Sequence, residues 1–234
     1  MDAATTTQVV QQASQLNIFQ QFALFLQEGG AFTYIIVIIF CIGIAIVLER
    51  ARILWKADTN GNALMLAVKK HILNNQVEEA IRLCSSTNAL LPKVLKSGLK
   101  RANQNKEQIK DAIETTILEV LPQLEKRMGY IALLANVSTL FGLLGTISGL
   151  ISSFSAVATA DAATKARLLA SGIAEAMHAT LLGLVSSIFL MLIYSILSSK
   201  SEKIVGEIEE NSAKLVDILG SRKTHYIPRD DKAA

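Results

Sequence analysis

Three stretches of this chain are too long, too apolar and too poor in charge to form the core of a water-soluble domain. They run from Ala31 to Leu48, from Tyr130 to about Ala158, and from Leu168 to about Leu197. A bilayer's hydrocarbon core is about 30 Å thick, and a helix rising about 1.5 Å per residue crosses it in about 20 apolar residues. The chain therefore reads as an all-α integral membrane protein with three transmembrane helices, over 31–48, 129–158 and 168–197. The second and third exceed the minimum by roughly ten residues, so they are expected to tilt or to project beyond the membrane as continuous helices. Only three prolines and 6% aromatic residues among 234 agree with a helical chain from end to end.

Charge is distributed in blocks. Residues 1–48 contain no Lys or Arg, whereas 49–128 contain fourteen, although the formal net charge of the whole is only +3. Basic residues collect on the cytoplasmic side of membrane proteins. Arg50, Arg52 and Lys56 follow the first span, Lys126 and Arg127 precede the second, and Lys200 and Lys203 follow the third. The expected topology is N-terminus outside and C-terminus inside. A short loop over 159–167 then closes the last two spans into an outer hairpin; its Lys165 and Arg167 oppose this orientation but are outnumbered. The block pattern is a topology signal and gives no nucleic-acid footprint.

Segment 1–30 reads as an amphipathic surface helix on the outer side. Val9, Leu16, Phe19, Phe22, Phe25 and Leu26 give Gln8–Gln27 a partly apolar face, and Gly29 and Gly30 end it. Met1 to Gln27 lacks the basic start and small-residue cleavage site of a signal peptide, so the first span is expected to direct insertion. Residues 49–128 read as a cytoplasmic helical domain. Its helical phrases are Leu64–Leu73, Val77–Cys84 after an Asn74-Asn75 turn, Pro92–Ala102, and a helix from Lys106 that either runs into the second span or kinks at Pro122. Over 198–234 helical spacing continues through Ile204, Ile208, Leu215 and Leu219, and a tail from His225 reads as disordered.

Within the second and third spans one fixed-charge side chain appears, Glu175. A charge near the membrane centre costs on the order of 2.5–3.5 kcal/mol or more, so Glu175 is expected to face a cavity, an interface or the bundle interior. An ion-path carboxylate and an anchor near the outer interface are both open to it. Small residues mark one face of each span: Gly142, Gly145 and Gly149 on the second, and Gly172, Ala176 and Gly183 on the third. Such spacing allows close backbone approach in lipid. Thr139, Gly142, Thr146, Gly149 and Ser153 follow at three- and four-residue steps, placing hydroxyls in a narrow stripe. That stripe can solvate water or a cation, and its hydroxyls can equally bond back to their own helix. His178, one turn from Glu175, can pair with it or serve packing, and Asn136 is similarly open. Cys41 and Cys84 form no CxxC or His cluster, so neither disulfide framework nor metal site is expected. No nucleophile elbow or phosphate loop occurs, so no enzyme is expected.

The phrases Leu140-Phe141-Gly142-Leu143-Leu144-Gly145-Thr146-Ile147-Ser148-Gly149 and Gly172-Ile173-Ala174-Glu175-Ala176-Met177-His178-Ala179-Thr180-Leu181-Leu182-Gly183-Leu184 resemble the ExbB/TolQ/MotA proton-channel family, most closely its ExbB/TolQ branch. Val77 to Cys84 and Leu91 to Leu95 are similar too, so the resemblance covers most of 31–200. It implies a subunit of a bacterial inner-membrane motor, with a periplasmic N-terminus. That subunit forms a homopentamer around two copies of a single-span ExbD/TolR/MotB-like partner whose aspartate carries the ion. It further implies that Thr146 and Thr180 line the ion path close to Glu175; Thr139 and Ser153 extend the hydroxyl face. The implied cargo is H⁺ or Na⁺, with no cofactor, and the surrounding lipid is the remaining contact. Thr139 stands where the family commonly has proline, and a second proline, late in the third span, is missing around Ser187 to Leu190. The extra hydroxyls leave H⁺ and Na⁺ both open. Outer-membrane import, Tol-type envelope integrity, a gliding or flagellar-type stator, and a non-conducting scaffold are the alternative roles.

Overall fold

A computed structural model describes residues 18–87 and 89–224, which form eight helices without strands. They are α1 (Ile18–Glu28), α2 (Gly30–Ala57), α3 (Gly61–Leu73), α4 (Val77–Ser85), α5 (Leu90–Lys100), α6 (Lys106–Glu125), α7 (Met128–Thr159) and α8 (Ala162–Thr224). Three helical stretches are long and apolar enough to cross a membrane, Gly30–Leu73, Lys106–Thr159 and Ala162–Ser221. The all-α membrane architecture expected from the sequence is the one observed. The 63 residues of α8 are about three times the roughly 20 that a helix needs to cross a bilayer core. The expected surface helix is described only as α1; residues 8–17 and the tail from 225 lie outside the described residues.

The helices divide between two compact units. The first combines residues 18–47 with Tyr130–Tyr194. Here α2 runs alongside α8 in the same direction: Leu190, fully buried, fills the space beside Gly43, and Phe40 meets Phe189 with ring centroids 5.7 Å apart. The turn joining α7 to α8 is tighter than the expected 159–167 loop. Only Ala160 and Asp161 separate the helices, because the Asp161 carbonyl accepts the N–H groups of Thr164 and Lys165 and starts α8 at once.

The second unit combines Leu48–Gly129 with the part of α8 from Ser195 onward. Its core is aliphatic, with Val68 and Ile72 of α3, Leu95 and Leu99 of α5, Ile109 and Ile113 of α6, and Leu215 and Leu219 of α8 all at most 2% exposed. Local sequence sets the helix ends. The Asn60 side chain accepts the Ala63 N–H at 3.2 Å, and Gln108 Oε1 accepts the Asn105 N–H at 3.3 Å, each satisfying a donor left free at a helix start. A Cβ at Gly98 would stand 2.6 Å from the Ile113 side chain, so glycine permits the close packing of α5 on α6.

The break before the second span falls elsewhere than Pro122, which lies inside α6. It comes at Lys126-Arg127, where Arg127 takes φ 63° and its guanidinium grips both carboxylate oxygens of Glu49 at 2.6 and 2.8 Å. Beside it Arg50, 2% exposed, donates from Nη1 to the Gln123 carbonyl at 3.1 Å, one of the carbonyls that the end of α6 leaves without a helical donor. Burial draws the Arg50 pKa below its usual value, with Glu49 opposing. A positive charge at a helix C-terminus is favourable.

Candidate ion-path site

The site lies wholly in the first unit, where α7 and α8 run antiparallel with almost no side chain between them. A Cβ at Gly183 would stand 2.8 Å from the Ser138 carbonyl oxygen and 3.0 Å from the Gly142 Cα. Further along, a Cβ at Gly145 would meet Ala179 at 2.6 Å, and one at Gly149 would meet Ala176 at 2.8 Å. Gly172 closes against Ser153 at the last contact. Gly142, Gly145, Gly149, Gly172, Ala176 and Gly183 thus all lie on this one seam. In lipid, where apolar burial gives little drive, such backbone proximity supplies van der Waals contact.

Hydroxyls cross the seam at its tightest point. Thr180 donates to the Gly142 carbonyl at 2.8 Å, and Ser138, fully buried, donates to the Gly183 carbonyl at 3.4 Å. The remaining stripe hydroxyls turn back on α7. Thr146 donates to Leu143 O at 2.7 Å, Ser153 to Gly149 O at 2.7 Å, and Thr139 to Ala135 O at 3.4 Å. Of the five stripe positions, Gly142, Gly149 and Ser153 are therefore packed on α8. Thr139 and Thr146 are half-buried, as is Thr180. Asn136 is exposed.

Glu175 and His178 each approach residues of α1 and α2. The Glu175 carboxylate lies against Gly30, in the space that a side chain there would occupy. The His178 ring meets Phe25 edge-on, with centroids 4.9 Å apart and planes at 87°. Glu175 is exposed in the single chain. Sequence reading missed Gly30 and Phe25 as neighbours of these residues, since a contact between chain positions so far apart leaves no local signal. The Gly29-Gly30 pair was readable only as a helix end.

Outward from the seam, the same helices show large apolar side chains. Leu140, Leu143, Ile147, Ile151 and Phe154 of α7, with Leu181, Val185 and Ile188 of α8, are each about half exposed or more. Such surfaces on a membrane chain are suited to lipid or to further transmembrane helices.

Residues 86–210, more than half of the chain, match the MotA/TolQ/ExbB proton channel family. Over 196 residues the chain is 26% identical to a biopolymer transport ExbB homolog of Methanothermobacter thermautotrophicus, covering 83% of this chain and 69% of that one. It is 34% identical over 119 residues to the Tol-Pal system protein TolQ of Pseudomonas aeruginosa, which is 51% of each chain. With the biopolymer transport protein ExbB of Salmonella typhimurium it shares 33% identity over 102 residues, 42% of this chain and 41% of the relative. The matched region takes in α5, α6, the whole of the α7–α8 seam and much of the rest of α8. On this match, the chain belongs to the MotA/TolQ/ExbB proton channel family, in its ExbB/TolQ branch.

Proposed function

We propose that this chain is the channel-forming subunit of an inner-membrane motor that spends an ion gradient to drive a single-span partner of the ExbD/TolR/MotB type. The observation that carries this reading is the α7–α8 seam, where Thr180 bridges to the Gly142 carbonyl and Thr146 lies close along the same helix. Threonine hydroxyls can both donate and accept, so these two can hand a proton or a cation's hydration from one polar group to the next once a partner carboxylate comes alongside. Each elementary charge crossing 100 mV releases about 2.3 kcal/mol, enough to bias a rotation or tilt of the partner.

The assembly is a homopentamer enclosing two partner copies, with lipid around it. The exposed leucines, isoleucines and phenylalanine of α7 and α8 support burial against other helices. Its N-terminus lies in the periplasm and its C-terminus in the cytoplasm, consistent with the basic residues after α2's apolar stretch. In that frame 31–48, 129–158 and 168–197 lie in the bilayer, with 49–128 and 198–234 inside the cell and 1–30 and 159–167 outside it. H⁺ or Na⁺ is cargo, and no cofactor is needed. The work delivered is outer-membrane import or Tol-type envelope integrity. A non-conducting scaffold has one observation in its favour: the five hydroxyls of Thr139, Thr146, Ser153, Thr180 and Ser138 all donate to backbone carbonyls. Flux into proteoliposomes holding the subunit and its partner separates the two. Thr146→Val, Thr180→Val and Glu175→Gln should each lower flux on the order of tenfold or more if they act on the moving charge. Assembly with flux indifferent to all three supports the scaffold.

A further inference from the structure

The elbow between α1 and α2 is built around two glycines. The Gly29 N–H bonds to the Phe25 carbonyl at 3.2 Å, the Gly29 carbonyl accepts the Thr33 hydroxyl, and Gly30 turns the chain with φ +69°, in the left-handed region that glycine adopts without steric cost. Thr33 is fully buried, so the first turn of α2 is fixed where the elbow ends. From this elbow two contacts reach the same turn of α8: Gly30 borders the Glu175 carboxylate and Phe25 meets His178.

We propose that Gly30 is a positioning residue for Glu175, its missing side chain leaving the space in which the carboxylate is seated while the α1–α2 elbow braces that turn of α8. The proposal deepens the ion-path reading and rests on it for its consequence in flux. Any side chain at Gly30 meets both obstacles together, the unfavourable φ and the carboxylate oxygen. By contrast, a Cβ at Gly206 meets no atom within 4 Å.

The test uses the full subunit with its partner in proteoliposomes. Two quantities are read: ion flux, and the rate at which a hydrophobic carbodiimide labels Glu175, followed by mass spectrometry. Gly30→Ala should change the labelling rate severalfold and lower flux on the order of tenfold, as expected when a working group is displaced by about an ångström. Gly206→Ala should change neither. Adding Glu175→Asp to Gly30→Ala shortens the carboxylate so that it clears the new Cβ, and flux should rise above that of Gly30→Ala alone. General damage to the fold would not be relieved in this way. If Gly30→Ala does not accumulate in the membrane, Phe25→Leu, which loosens the same elbow at His178, should alter labelling in its place. Unchanged labelling overturns the proposal, as does a flux loss that Glu175→Asp deepens. If Glu175→Gln alone leaves flux intact, the ion-path reading fails, and labelling alone decides whether Gly30 seats the carboxylate.

Discussion

Replacing Thr180 with valine keeps the shape of the side chain and removes the one donor that crosses from α8 to the Gly142 carbonyl. Hydrogen bonds between membrane helices are worth about 0.6 kcal/mol on average and up to about 1–2 kcal/mol. Thr180→Val should therefore lower stability by that modest amount, and Thr180→Ser should restore it, as read from unfolding in detergent. A flux loss much larger than this stability change would identify the hydroxyl as part of the path. Cys84 gives a second check. Cys84 is 2% exposed and burial pushes its thiol up to about 11, with Lys96 acting the other way. Because the raised pKa leaves little thiolate near neutrality, N-ethylmaleimide should modify Cys84 slowly in the native protein and rapidly after denaturation, as mass spectrometry would show. Sequence alone located Glu175, because a lone charge in an apolar run stands out whatever surrounds it. Its seat on Gly30 was not readable, since that contact depends on where two distant helices pass.

Helix packing and helix ends follow the same division between local and distant causes. The small-residue face of each span was legible from spacing, yet which residue meets which required the structure. It pairs Gly142 with Gly183, Gly145 with Ala179, and Gly149 with Ala176. At Gly183 the neighbours are backbone atoms that cannot step aside, so Gly183→Ala should force the helices apart at a cost of about 1–3 kcal/mol. Gly206→Ala should be neutral or slightly stabilising, because alanine favours helix and the site is open. Thermal unfolding of the two variants side by side reads the contrast. Pro122 lies inside α6, which continues past it and ends where Arg127 reaches Glu49. Arg50 caps the same helix end at Gln123. Arg50→Met should leave that carbonyl without its donor and destabilise the protein by about 1–3 kcal/mol. The loss should appear as a lower unfolding midpoint, while Arg50→Lys recovers part of it.

For the whole molecule, composition and hydropathy were enough for the all-α class and for three membrane-length helices, because the cost of burying backbone in lipid leaves few alternatives to a helix. The basic block after residue 48 carries only the expectation of an orientation. What a single chain's sequence does not encode is the set of chains that cover its exposed apolar faces on α7 and α8. The most direct measurement is ion flux into proteoliposomes containing the subunit with its neighbouring single-span protein, under a proton gradient and separately under a sodium gradient. The account predicts flux under one of these gradients that requires the partner and disappears when either protein is omitted. A stable complex of the two that passes neither ion would contradict it.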